Sequence, residues 1–164
     1  MNGINVMATV NDVCDYIILM CCSGGENLNL LKLQKLLYYV QAWSLAFEER
    51  PLFEGKFQAW VHGPVNRDIF NRFAGEKTLY SPIDEGDITP GFNPETALSA
   101  DDRLHIDNVL EVYAKFSGSE LEAQAHIEEP WIRARGGCSP TSRCETELDE
   151  KFVGEYYRAR ISQG

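Results

Sequence analysis

The stretch NLLKLQKLLYYVQAWSLAFEERPLFEGKFQAWVHGPVNRDIFNRF, residues 29–73, decides how this chain folds. Its first half is periodic at helical spacing but has no polar side. At 100° per residue, Leu33, Leu36, Leu37, Val40 and Phe47 form one broad face. Leu31, Tyr38 and Leu45 form a second, and Tyr39, Trp43 and Ala46 a third. A helix apolar nearly all round packs against several neighbours at once, so this one is expected at the centre of the molecule. Asn29 is a good N-cap for it, and Arg50 followed by Pro51 ends it. In the second half, residues 56–61 alternate as a short extended piece. Gly63 and Pro64 then reset the backbone. Pro64 suits the first turn of a helix over 65–73, whose Ile69, Phe70 and Phe73 are expected to face the core.

Working outward, residues 1–6 read as a lead-in. Val10, Val13, Cys14, Ile17, Ile18 and Cys21 recur at helical spacing over 7–22, and Gly24 and Gly25 end that helix. On the other side, 75–99 holds Pro82, Pro90 and Pro94 with little periodicity and reads as a long loop. Ser99 caps a helix over 100–116 with an inward stripe of Leu104, Val109, Leu110, Val112, Tyr113 and Phe116. Ser117 or Ser119 caps a shorter helix over 120–126, and Pro130 with Trp131 ends that unit. After a loop around Gly136, Gly137 and Pro140, a last helix covers 147–161 with Phe152, Tyr156 and Ile161 inward. The expected fold is all-α (mainly α): a single compact helical domain over 7–161, with one short extended element near 56–61.

The chain's 164 residues are enough to bury a core without disulfides or metal, and 44% hydrophobic with 24% charged residues is ordinary for a globular domain. No run of about 18 apolar residues suggests a membrane span. The N-terminus lacks a basic region and a small-residue cleavage site, so the expected compartment is the cytoplasm. Cys14, Cys21, Cys22, Cys138 and Cys144 have neither framework nor zinc spacing and read as reduced thiols, so no metal or cofactor is expected. The net charge of −10 argues against nucleic acid as a direct ligand. Residues 84–130 carry twelve acids and two bases. A solvated acidic face explains that simply; steering of a basic protein partner is its functional reading.

No phosphate-binding glycine loop, nucleophile elbow or H-E-x-x-H motif occurs. His62, between Val61 and Gly63, has no nucleophile that sequence can pair with it and reads as a structural turn histidine. An enzyme would need it joined in a pocket to a carboxylate from 101–130. His105 reads as a surface residue, and Asp101, Asp102, Glu128 and Glu129 as partners of helix dipoles. No catalytic residue is assigned. Trp43, Trp60 and Trp131 read as core, Trp43 and Trp60 packing on or near one another. Any of them left exposed would be an interface anchor.

KLQKLLYYVQAW (32–43), PLF (51–53) and AWVHGPV (59–65), in this order and spacing, resemble the Panacea antitoxin domain, a family also called SocA-like, or GepA-like after a phage-associated protein. DVCDYII (12–18) is similar to the family's opening helix, whose usual start places the beginning of translation or folding near Met7. VLEVYAKFSGSEL (109–121), followed by Pro130 and Trp131, is similar to its second half. The resemblance implies a bacterial or phage protein, not an enzyme, that binds and neutralises a toxin encoded beside it. It also implies two alternatives: an adaptor delivering the toxin to the ClpXP protease, and a phage protein aimed at a host factor. Gln41, Trp43, Pro51, Phe53, Trp60, His62, Gly63, Pro64 and Val65 are carried over as signature or partner-binding residues.

Overall fold

A computed structural model describes residues 7–161; the 1–6 lead-in lies outside them. The central helix is α2 (Leu30–Glu48), capped by Asn29, whose Oδ1 accepts from Lys32 N at 2.8 Å. Every residue from Leu30 to Ala46 is buried except Trp43. Such a helix must satisfy its own polar side chains, because burying one without a partner costs more than the fold can spare. Its lysines and glutamines all end on backbone. Lys32 Nζ donates to Ala114 O (2.6 Å) and Asn27 O (3.1 Å). Gln34 spans Asn66, donating to its carbonyl (3.0 Å) and accepting from its N–H (2.9 Å). Lys35 Nζ donates to Pro64 O at 3.0 Å. Gln41 accepts from Leu52 N (2.9 Å) and Phe53 N (3.2 Å) and donates to Phe53 O (2.8 Å).

The other elements are α1 (Val10–Ser23), the hairpin β1 (Phe57–Trp60) and β2 (Gly63–Asn66), α3 (Arg67–Phe73), α4 (Pro94–Ala97), α5 (Ala100–Tyr113), α6 (Gly118–His126), α7 (Glu129–Arg135) and α8 (Glu150–Ile161). Of these α1, β2, α5, α6 and α8 pack most closely on α2, while α3 and α4 pack on α1, and α7 on β1, α6 and α8. The strands are antiparallel, with Phe57 opposite Asn66 and Trp60 opposite Gly63. The chain is therefore mainly α with one small sheet, as its sequence leads one to expect. Pro64, however, lies in β2 rather than in a helical first turn. The third helix waits for Asn66, whose side chain caps Ile69 N at 3.1 Å. The α8 helix packs closely on α2: a Cβ on Gly154 would lie 3.0 Å from Leu45 O. Arg158 reaches across to donate to Ala46 O (2.9 Å) and Leu45 O (3.1 Å), satisfying carbonyls that the end of α2 leaves free.

The 75–99 segment is a loop in outline but a pinned one. Leu31 N donates to Leu79 O and Ile83 N to Leu28 O, both at 2.9 Å. A single turn of 3-10 helix covers Glu85–Asp87. Asp15, buried in α1, accepts from Arg72 and from Thr89 N, while Arg72 also donates to Asp87 O. Pro130 does not end a unit; it sits in the first turn of α7, which Glu128 precedes as N-cap.

Several apolar residues expected inside are outside. Ile69 and Phe73 are buried, but Phe70 is exposed. On α5 the buried residues are Ile106, Val109 and Leu110, while Leu104, Val112 and, beyond the helix end, Phe116 face out. On α8 they are Val153, Gly154 and Tyr157, one position on from Phe152 and Tyr156, and Ile161 is exposed. One residue is 100° of helix, and the close approach at Gly154 sets that phase. Phe47, in the last turn of α2, is 58% exposed.

Gln41→Ala strips three hydrogen bonds from the 52–53 backbone. It is expected to cost about 2–4 kcal/mol in urea unfolding, with the denaturant slope unchanged.

Candidate functional site

The nine signature residues divide between scaffold and surface. Gln41 and Phe53 are wholly interior, and Pro51 leads into the turn that Gln41 clamps. Gly63 and Pro64 are buried over Lys35. A Cβ on Gly63 would lie 2.6 Å from Lys35 Cε, and its φ of +101° is itself a glycine conformation. Lys35 is fully buried. Burial drives its pKa down to about 7, with the Glu122 carboxylate acting in the opposite direction.

Trp60 is half-buried rather than core. Its ring packs edge-on against Phe70 with Arg67 over it, and its carbonyl accepts from Trp131 Nε1 at 2.8 Å. It does not meet Trp43. His62 is exposed and paired with Glu122, its Nδ1 3.1 Å from the carboxylate. A carboxylate from the 101–130 region thus does stand beside His62, in the open at a hairpin tip. Trp60, His62 and Val65, with Leu30, Phe70 and Leu79, line a slot of about 450 Å³ whose rim carries Lys77 and Arg143. His126 Nε2 donates to Val61 O at 2.8 Å, and its ring packs on Trp131. It ties α6 to the hairpin. His105 is likewise tied down, its Nε2 2.9 Å from Val40 O.

A larger concavity, about 730 Å³, lies between the end of α2 and α5. Trp43, Phe47, Leu104, Val112 and Tyr113 supply its apolar lining. Phe47, Leu104 and Val112 are more than half exposed. Glu48, Asp101 and Asp102 stand along it with one cation, Arg50. Trp43 Nε1 donates to Tyr113 OH at 2.9 Å, and Phe47 stacks on Trp43 with centroids 5.3 Å apart.

Beyond that Trp43–Tyr113 partition is a second hollow of about 440 Å³, lined by Gln124, Ile127, Glu128, Tyr156, Tyr157 and Arg160 as well as the partition itself. Glu128 is buried and accepts from Tyr39 OH and Tyr157 OH (both 2.7 Å) and from Gln124 Nε2 (2.9 Å). Burial first and Glu128 second raise the Tyr39 phenol pKa, so it stays a donor. Burial raises Tyr113 to about 12, against the lowering effect of its bond with Trp43.

The sequence missed this assembly. Glu128 reads as a helix-end acid, and Phe47, Leu104 and Val112 as core. Their signal was an apolar surplus: α2 and α5 carry more large side chains than one buried stripe requires. Among the described residues no cluster of His, Cys, Asp and Glu is arranged to hold a metal ion, and no helix is long and apolar enough to cross a membrane.

The chain belongs to the SocA-like antitoxins: the profile of the family "Antitoxin SocA-like, Panacea domain" matches residues 33–132. It is similar to the protein "Antitoxin SocA" of Caulobacter vibrioides (strain NA1000 / CB15N), with 34% identity over 133 residues, 78% of this chain and 71% of that one. No solved structure matches the fold.

Lys35 sets a pH dependence with a definite sign. Its folded pKa near 7 lies below the ordinary lysine value of 10.5, so the unfolded chain binds the extra proton above pH 7 and stability rises with pH there. Between pH 7.5 and 8.5 the slope for one such group approaches about 1.4 kcal/mol per pH unit. Lys35→Met is expected to flatten it, as read from urea unfolding across that window. Equal slopes in both proteins would place the Lys35 titration elsewhere.

Proposed function

We propose that this chain is the antitoxin of a toxin–antitoxin pair and that it neutralises its toxin by direct, non-catalytic binding. Family membership supports the role. The observation that supports binding is the exposed apolar groove between α2 and α5, with Phe47, Leu104 and Val112 in the open and carboxylates beside them. A contiguous apolar surface of this kind costs solubility and is kept where a partner covers it. An α-helix with an apolar stripe and basic flanks is the complementary shape. From Asp101 to Val112 the groove runs about 17 Å along α5, three turns of such a helix. Trp43 is the signature residue placed to serve as an anchor here. The hairpin residues Trp60, His62 and Val65 line a separate slot and support the groove only through the common scaffold.

Co-expression with each small open reading frame flanking the gene tests the role. Rescue of growth from one of them, with a stable complex on pull-down, is the expected result. Rescue with protease-dependent loss of the toxin would instead mark an adaptor. Phe47→Asp with Leu104→Asp is expected to abolish both rescue and complex while leaving the melting temperature within about 2 °C, since both side chains are solvent-facing. Undiminished rescue would move the binding face off this groove.

A further inference from the structure

Glu128 has a feature that its structural role does not require. It is a carboxylate 8% exposed, and no cation pairs with it among the described residues. Three neutral donors occupy three of the roughly four acceptor positions a carboxylate offers. A buried charge compensated only by hydroxyl and amide dipoles is held at a cost that a cation would relieve. The hollow above it is walled by Trp43, Tyr113, Tyr156 and Tyr157, whose ring faces attract cations. One wall already carries such a group: the Arg160 guanidinium lies 3.9 Å from the Tyr156 ring centroid and donates to the Tyr156 hydroxyl at 2.6 Å, without reaching Glu128. The hollow shares the Trp43–Tyr113 partition with the α2/α5 groove, so a chain lying in the groove passes beside its mouth.

We infer that this hollow is a receptor for one arginine side chain of the protein partner, with Glu128 as its counter-ion and the surrounding aromatic rings as its walls. The inference rests on the reading of this face as the partner-binding surface. The planar guanidinium suits such a site better than an ammonium, because it can lie flat on one ring face while donating in its own plane to a carboxylate oxygen. Arg160, which lines the hollow, competes with an incoming cation and must swing aside or share the Tyr156 face. The chain's own charge of −10 disfavours a second copy of itself as the occupant.

The test needs no toxin. The capped tripeptide acetyl-Gly-Arg-Gly-amide is titrated into the full chain while the Trp43 indole N–H is followed by NMR, with the lysine tripeptide and spermidine as parallel arms. A saturable shift with a dissociation constant on the order of 1 mM is expected for the arginine peptide, and binding about fivefold weaker or more for the lysine one. Glu128→Gln, which keeps an acceptor for the tyrosines, is expected to weaken binding about tenfold. Tyr156→Leu removes a wall without touching the Glu128 hydrogen bonds and serves if Glu128→Gln fails to fold; a fivefold or larger loss is expected, on the order of one cation–π contact. Arg160→Gln is expected to tighten binding. No saturable shift by about 20 mM, a weakness far beyond any useful single contact, would overturn the receptor. So would equal affinity in the Glu128 and Tyr156 variants, and stronger binding of spermidine would replace the arginine by a free polyamine. None of these outcomes bears on rescue by co-expression, which judges the antitoxin role separately.

Discussion

The structure depends on one constraint: a helix buried on every side must satisfy its own polar side chains. Lys32, Gln34, Lys35 and Gln41 lie inside the molecule on α2, and each is hydrogen-bonded by backbone delivered from outside the helix. That requirement fixes the turn at 52–53, the hairpin at 64–66 and the end of α5 at Ala114. The apolar residues of α2 supply most of the driving force for collapse, but they are indifferent to register. The four polar ones are not, because a slip of one residue would leave a buried donor without its acceptor.

The motif residues around the hairpin follow from the same constraint. Gly63 is glycine because Lys35 occupies the space of a Cβ, and because its backbone lies in the left-handed half of φ. Pro64 presents the carbonyl that the ammonium needs. A sequence signature that looks like a functional loop is in large part the receiving half of a buried lysine. Trp43 differs, since it alone of the residues from Leu30 to Ala46 keeps a solvent-facing edge and so takes part in both scaffold and surface.

The architecture was legible because α2 announces itself: nineteen residues, Asn29 before them and no polar face. The caps at Ser99 and Ser117 and the break after Ser23 were equally readable, each being a local device. What failed was the assignment of inside and outside on the peripheral helices. Leu104, Val112 and Phe47 obey helical spacing as faithfully as Ile106 and Val109 do, and periodicity does not say which of two apolar stripes meets the core. The exposed apolar groove was hidden in the sequence because it is written in the same letters as the interior. Glu128 was hidden for the opposite reason: its donors lie 4, 29 and 89 residues away, and only the fold brings Tyr39 and Tyr157 to it.

The last helix has a consequence for the timing of synthesis. The carbonyls at the end of α2 are closed by Arg158, more than 110 residues downstream, and Tyr157 completes the ring of donors around Glu128. Until α8 leaves the ribosome, one flank of the central helix stays open to water and the hollow lined by Tyr156 and Arg160 lacks a side. Contacts this distant in sequence also form late and slowly. The core can close only once α8 has been made, and a chain cut short before residue 150 has neither a sealed central helix nor the wall of the hollow that Tyr156 and Arg160 supply.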